Sequence, residues 1–151
     1  MSDHTNRQPP NPGFEQRVRE IFSQAAFVSE LGITPAEIGP GLCESTLAIR
    51  PTHLQQDGFV HAGVQATIAD HTAGAAAATL VGANETVLSV EFKINMLRPA
   101  VGQLLRCKAA VLKPGRTLIV VEAEVFAIDG ERTKLTSKAT VTLAVVRIPE
   151  R

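Results

Sequence analysis

Residues 53–74 read HLQQDGFVHAGVQATIADHTAG. A polar loop passes through Gly58 and turns at His61-Ala62-Gly63 into a helix almost free of charge. The helical pattern extends from about Val60 to Leu80. Its residues are unusually small: Ala62, Gly63, Ala66, Ala69, Ala73, Gly74 and Ala75 to Ala78. A solvated helix of this length would carry several charges on its outer face. Here Asp70 is the one carboxylate between His61 and Leu80. The stretch therefore reads as a buried helix whose small side chains let a sheet approach closely.

Outward from that helix the periodicity changes. After Asn84 the chain falls into four long strand patterns, Thr86–Met96, Gln103–Leu112, Thr117–Ile128 and Arg132–Val146. They are separated by Pro99 to Gly102, Pro114-Gly115 and Asp129-Gly130. The last is a strong hairpin signal, because glycine supplies the positive φ that such turns need. Upstream, Leu42 to Arg50 reads as another strand after a Gly39-Pro40-Gly41 turn. Phe14, Val18, Ile21, Phe22 and Ala25 recur at helical spacing, which predicts one amphipathic helix ending before Gly32. Residues 1–13, with Pro9, Pro10 and Pro12, read as a flexible arm, and residues 14–151 as a single domain. The order predicts an α+β fold, an antiparallel sheet of five or six strands wrapped around a long central helix.

Composition narrows the function. The chain has 151 residues, enough to bury roughly 70% of its unfolded surface. Lys and Arg number 15 and so do Asp and Glu. A net charge of zero argues against nucleic acid or an anionic membrane as partner. With no Trp, no Tyr and six Phe, the composition argues against a base-stacking platform as well. Cys43 and Cys107 form no close pair, so neither a disulfide framework nor a cysteine zinc site is expected. The first residues lack the apolar stretch of a signal peptide, and the apolar run Ala73 to Val81 is too short to span a bilayer. The expectation is a cytoplasmic protein.

Chemistry concentrates at two points of the quoted stretch. The first amides of a helix have no intrahelical partner and carry partial positive charge. The His61-Ala62-Gly63 end could therefore hold an anion or a developing oxyanion, or be an ordinary helix start. Asp70 has two readings also: a nucleophile or general base in a cleft, or a structural carboxylate paired with a neighbour. His61 and Asp70 are nine residues apart. At ~100° and ~1.5 Å per residue they project to opposite sides, ~13 Å apart along the axis. If both serve one site, that site combines two subunits. His53, His61 and His71 have no helix-based metal-ligand spacing, and His71 reads as a core histidine; no metal is expected. No GxSxG elbow, P-loop or GxGxxG is present.

The sequence resembles the hotdog-fold thioesterases of the phenylacetate-degradation type over about residues 40–146. The resemblance is carried by Gly58-Phe59-Val60-His61-Ala62-Gly63, by Asp70 seven residues after Gly63, by the strand Ser89 to Ala100, and by Gly115-Arg116-Thr117. It implies hydrolysis of an acyl-CoA thioester, with no cofactor beyond the coenzyme A of the substrate. Asp70 is similar to the family's helix carboxylate, acting as nucleophile or as base for water. The amides near Ala62 and Gly63 would form the oxyanion site, with His61 supporting the loop. Gln55, six residues before His61, would help place the carbonyl or water, and Ser89 would orient the attacking water. Where many members read His-Gly-Gly this chain has His61-Ala62-Gly63, and Gln55 stands where many have Asn. The resemblance implies a site across a homodimer, with a tetramer expected. Arg98, Arg116 and, beside them, Thr117 and Asn95 are candidates for binding the coenzyme A portion, Arg being suited to phosphate by its fork of donors. A non-catalytic acyl-CoA binding module and a hotdog enoyl-CoA hydratase are the alternatives.

Overall fold

The computed structural model describes residues 7–149. Two short helices open the domain, α1 (Phe14–Gln24) and α2 (Ala26–Leu31). Strands β1 (Ile33–Gly39) and β2 (Leu42–Ala48) follow, then the long helix α3 (Ala62–Ala78). Strands β3 (Glu85–Met96), β4 (Leu104–Pro114), β5 (Leu118–Asp129) and β6 (Arg132–Arg147) complete it. All six strands form one antiparallel sheet in the order β1-β2-β4-β5-β6-β3. The expected α+β architecture is present, with the sheet curved around α3.

The core lies between α3 and the inner face of the sheet. Leu47, Leu105, Val111, Val121, Val125, Val141 and Leu143 are all at most 1% exposed, as are Ile68, Ala73 and Ala75 to Ala77 of the helix. Alanines let the helix axis sink toward the strands, so that branched side chains from the sheet fill the layer. Thr72 is also fully buried and is satisfied there: its hydroxyl donates to the Ile68 carbonyl at 2.6 Å, and Ser45 Oγ lies 2.5 Å from it. Gly130, at φ 58, makes the β5–β6 hairpin turn anticipated from Asp129-Gly130.

Three differences from the sequence reading have plain structural causes. The single N-terminal helix is two helices, broken at Ala25, whose ψ of 92 is extended. At ~100° per residue, Val28 on a continuous helix would point ~120° away from Phe22. The break lets α1 bury Val18 and Phe22 while α2 buries Val28. Next, Ile33–Gly39 is a strand, the sixth. Pro35 and a register shift between Pro35 and Glu37 hide its alternation, and both are tolerated because β1 is an edge strand. Finally, α3 begins at Ala62 rather than Val60, since Val60 is held in extended backbone by a bridge to Leu54 and by its N–H on the Ala100 carbonyl, 3.0 Å away.

Part of the expected flexible arm, residues 1–6, lies outside the described residues. Arg7 is tied down, its Nη1 donating to the Val111 carbonyl at 3.0 Å. No helix among the described residues is long and apolar enough to cross a membrane.

Candidate active site

The loop before α3 is a compact device for delivering the helix start. The Gln55 N–H donates to Phe59 O at 2.8 Å, Gly58 N–H to Gln55 O at 3.0 Å, and His61 N–H to His53 O at 2.9 Å. Gly58 takes φ 84, a conformation that favours glycine. His61 is the N-cap of α3: its Nδ1 accepts the Gly63 N–H at 2.8 Å, which leaves the imidazole proton on Nε2 while the ring is neutral. A Cβ at Gly63 would stand 3.0 Å from that Nδ1, so the glycine is what lets the cap close. The Gly63 amide is thereby committed to His61. The Ala62 amide, at the exposed first position of the helix, is bonded to no acceptor among the described residues.

Beside this end of the helix is a cavity of about 480 Å³. Gln55, His61, Ala62, Gln65 and Arg98 line it, together with apolar Phe59, Met96 and Leu97. Gln55 also turns its side-chain carbonyl back onto the Asp57 N–H of its own loop. Arg98 and Pro99 line a second cavity of about 390 Å³, to which Arg132 and Lys134 add two cations and Asp129 one anion.

Asp70 is elsewhere. Eight residues after Ala62, it lies ~12 Å further along the axis. It is half-buried, on the stripe of α3 that the sheet does not cover, with Ala62, Gly63, Ala66, Thr67 and Gly74. Ser89 Oγ donates to its Oδ1 at 2.6 Å. Ser89 sits on β3 at a register shift between Ser89 and Glu91, where the extra residue bends the strand. The structure thus joins Asp70 to Ser89, and Ala62 to His61 and Gln55, but keeps the two groups apart within one chain.

The remaining candidates are dispersed. Asn95 pairs across strands with Lys138 on the face of the sheet away from α3. Arg116 and Thr117 lie at the β4–β5 turn, separated from the Arg98 end by the length of β5, roughly 35–40 Å for twelve residues. The three histidines serve three different places. His53 accepts the Arg50 N–H at 3.0 Å, and burial followed by the nearby Arg50 charge lowers its pKa from the ordinary 6.5. His71 packs edge-on against Phe22 with ring centres 4.6 Å apart; burial lowers its pKa, and Asp70 opposes the shift. Burial pushes both thiols, Cys43 and Cys107, up to about 12, so neither is a nucleophile at neutral pH.

Sequence reasoning missed Gln65, Arg132 and Lys134. Gln65 had a signal, since it stands three residues after Ala62 and so on the same helical face. Arg132 and Lys134 look like solvated charges beside a turn, and only the fold brings them to Arg98.

Comparison with known proteins agrees with this architecture. Residues 57–134 match the Thioesterase superfamily. The structure of a thioesterase family protein from Silicibacter pomeroyi is 36% identical, with a TM-score of 0.88 over 89% of this chain and 99% of that one. A conserved protein from Pseudomonas aeruginosa is 32% identical, with a TM-score of 0.76 over 85% and 98%. A thioesterase from Haemophilus influenzae, 22% identical, shares the fold with a TM-score of 0.80 over 100% and 99%. The matched segment contains the delivering loop from Asp57 onward, all of α3 and β3 to β5, and on that basis the chain belongs to the thioesterase superfamily, a hotdog-fold domain for thioester hydrolysis.

Proposed function

We propose that the protein hydrolyses an acyl-CoA thioester to a free acid and coenzyme A, in a site shared by two copies of the chain. The observation that carries this reading is the Asp70–Ser89 pair. A carboxylate held by one hydroxyl, on a helix stripe of small residues, keeps lone pairs free for chemistry. Its complement is the open Ala62 amide in the cavity at the helix start.

In the proposed reaction Asp70 of one copy deprotonates water, or attacks directly, at a carbonyl carbon held beside Ala62 of the other. The new C–O bond pushes the carbonyl pair onto oxygen, and the Ala62 N–H stabilises that charge. The pair returns and the C–S bond breaks; on the water route Asp70 gives its proton to the leaving sulfur, and on the direct route the thiolate leaves as the anion and is protonated by solvent. If Asp70 attacks directly, water then hydrolyses the acyl-enzyme anhydride. Ser89 holds Asp70 in position throughout. Arg98, with Arg132 and Lys134 nearby, offers cations to the diphosphate and 3′-phosphate of coenzyme A.

Pairing of two copies is supported by the sheet edge. Among the described strands β3 pairs only with β6, and it exposes three large apolar side chains, Leu88 at 59%, Val90 at 61% and Phe92 at 45%, interleaved with exposed Glu91 and Lys93. A long unpaired edge strand that exposes this much apolar surface is a template for pairing with a second chain. A second copy laid along β3 would cover them and place the stripe of α3 at a subunit boundary. The dimer is the minimal active unit in this reading, and a tetramer would be a dimer of such dimers.

Thiol release from short, medium, long and aromatic acyl-CoAs tests the proposal, with wild type and Asp70→Asn in parallel. A turnover that Asp70→Asn lowers by about 10²–10⁴-fold is expected. Acyl-CoA binding without turnover by wild type would replace the enzyme with a binding module. Equal turnover by the variant would remove Asp70 from the chemistry.

A further inference from the structure

Gln65 is 4% exposed, yet its Oε1 is buried without a hydrogen-bond partner among the described residues. A buried orphan of this kind costs stability that a paired or apolar side chain would not. It lines the same cavity as Ala62 and, at i+3, shares its helical face. The Gly63 amide is occupied by His61, and Gln55 is engaged by its own loop through its carbonyl. Among the described residues, Ala62 N–H is thus the backbone donor of the first helical turn left without an acceptor, on a residue that lines the cavity. Gln65 Nε2 likewise has no hydrogen-bond acceptor among the described residues and, unlike Oε1, is not fully enclosed, so the N–H end of the carboxamide is the one a ligand in the cavity can reach.

We propose that Gln65 is the second oxyanion donor: its side-chain N–H and the backbone N–H of Ala62 together bind the thioester carbonyl oxygen as it becomes negative. The assignment rests on the thioester-hydrolysis reading above. It makes Gln65 a catalytic residue and accounts for the retention of an unsatisfied amide in the wall of a largely apolar layer. The hydrogen bonds form on the oxygen when the attacking oxygen adds to the carbonyl carbon. They are given up when the carbonyl re-forms and the thiolate departs.

The test compares wild type with Gln65→Met, which fills the same volume without a donor, and Gln65→Glu, which keeps the shape but presents acceptors at pH 8. Each is measured for kcat, KM and thermal midpoint on the acyl-CoA that wild type turns over best. The expected result is a fall in kcat of about 10²–10³-fold in both variants with KM nearly constant. The Gln65→Met midpoint should equal or exceed that of wild type, because an unpaired buried polar atom has been removed. A purely structural glutamine would give the opposite, a lowered midpoint with kcat kept in the folded fraction, and would overturn the assignment. So would a kcat within about threefold of wild type, or a raised KM at unchanged kcat. If wild type releases no thiol from any substrate, the hydrolysis reading falls and this assignment with it. Normal wild-type turnover with unimpaired Gln65 variants overturns the assignment alone.

Discussion

The two halves of α3 are built from the same small residues and do opposite work. From Ala75 to Ala78 the helix is buried on every side, at most 3% exposed, and its alanines are small so that Val111, Val141 and Leu143 can fill the space around them. From Ala62 to Gly74 one stripe stays uncovered, and there smallness leaves room for something else to approach. Asp70 and the Ala62 amide both belong to that stripe's half. Composition alone cannot separate packing from access; the sheet, by covering one half fully and the other in part, does.

Substitutions in the two halves should therefore fail differently. The largest effect belongs to Asp70→Asn: turnover lost by about 10²–10⁴-fold, with the chemical-unfolding midpoint nearly unmoved because Asp70 is half-buried and Asn can still accept from Ser89. Ala76→Leu should do the reverse. Ala76 is fully buried, and overpacking there should cost about 1–3 kcal/mol in urea unfolding, with kcat per folded molecule kept. A variant of the buried half that lost kcat without losing stability would erase the distinction.

A smaller effect concerns pH. His53 and His71 both have folded pKa values below 6.5 through burial. The unfolded chain takes up protons first as pH falls through that value. Stability is thus fully present above 6.5 and declines as pH drops toward the folded values. Urea midpoints measured at pH 7.5 and 5.5 should fall in that order, and replacing His53 with Gln should flatten the difference.

How far the sequence carries this account depends on what each residue advertises locally. α3 and the four long strands are legible because period and length agree over ten residues or more. Asp70 is legible as a lone carboxylate among alanines. β1 is hidden by Pro35 and its register shift, and the break at Ala25 has no glycine or proline to mark it. The place of Gly63 at the helix start points to a share in the oxyanion site, but its amide is taken by the His61 ring, a contact that depends on a rotamer and not on spacing. Gln65 is an ordinary helix former by type, and only burial makes its unpaired oxygen conspicuous. Arg116 and Arg98 look equivalent along the chain; the length of β5 sets them apart.

The central claim is that one site takes Ala62 from one copy and Asp70 from another. Ala62 is the first residue of α3, a position that accepts proline, and Ala62→Pro removes its N–H while sparing the helix. The decisive measurement is thiol release by Ala62→Pro and Asp70→Asn proteins, each alone and after co-refolding in equal amounts. Each alone should be nearly inactive. Random pairing makes half the dimers mixed, each with one of two sites intact, so about a quarter of wild-type activity should return. No recovery in a mixture shown to contain mixed dimers would mean that Ala62 and Asp70 act within one chain, and would contradict the account.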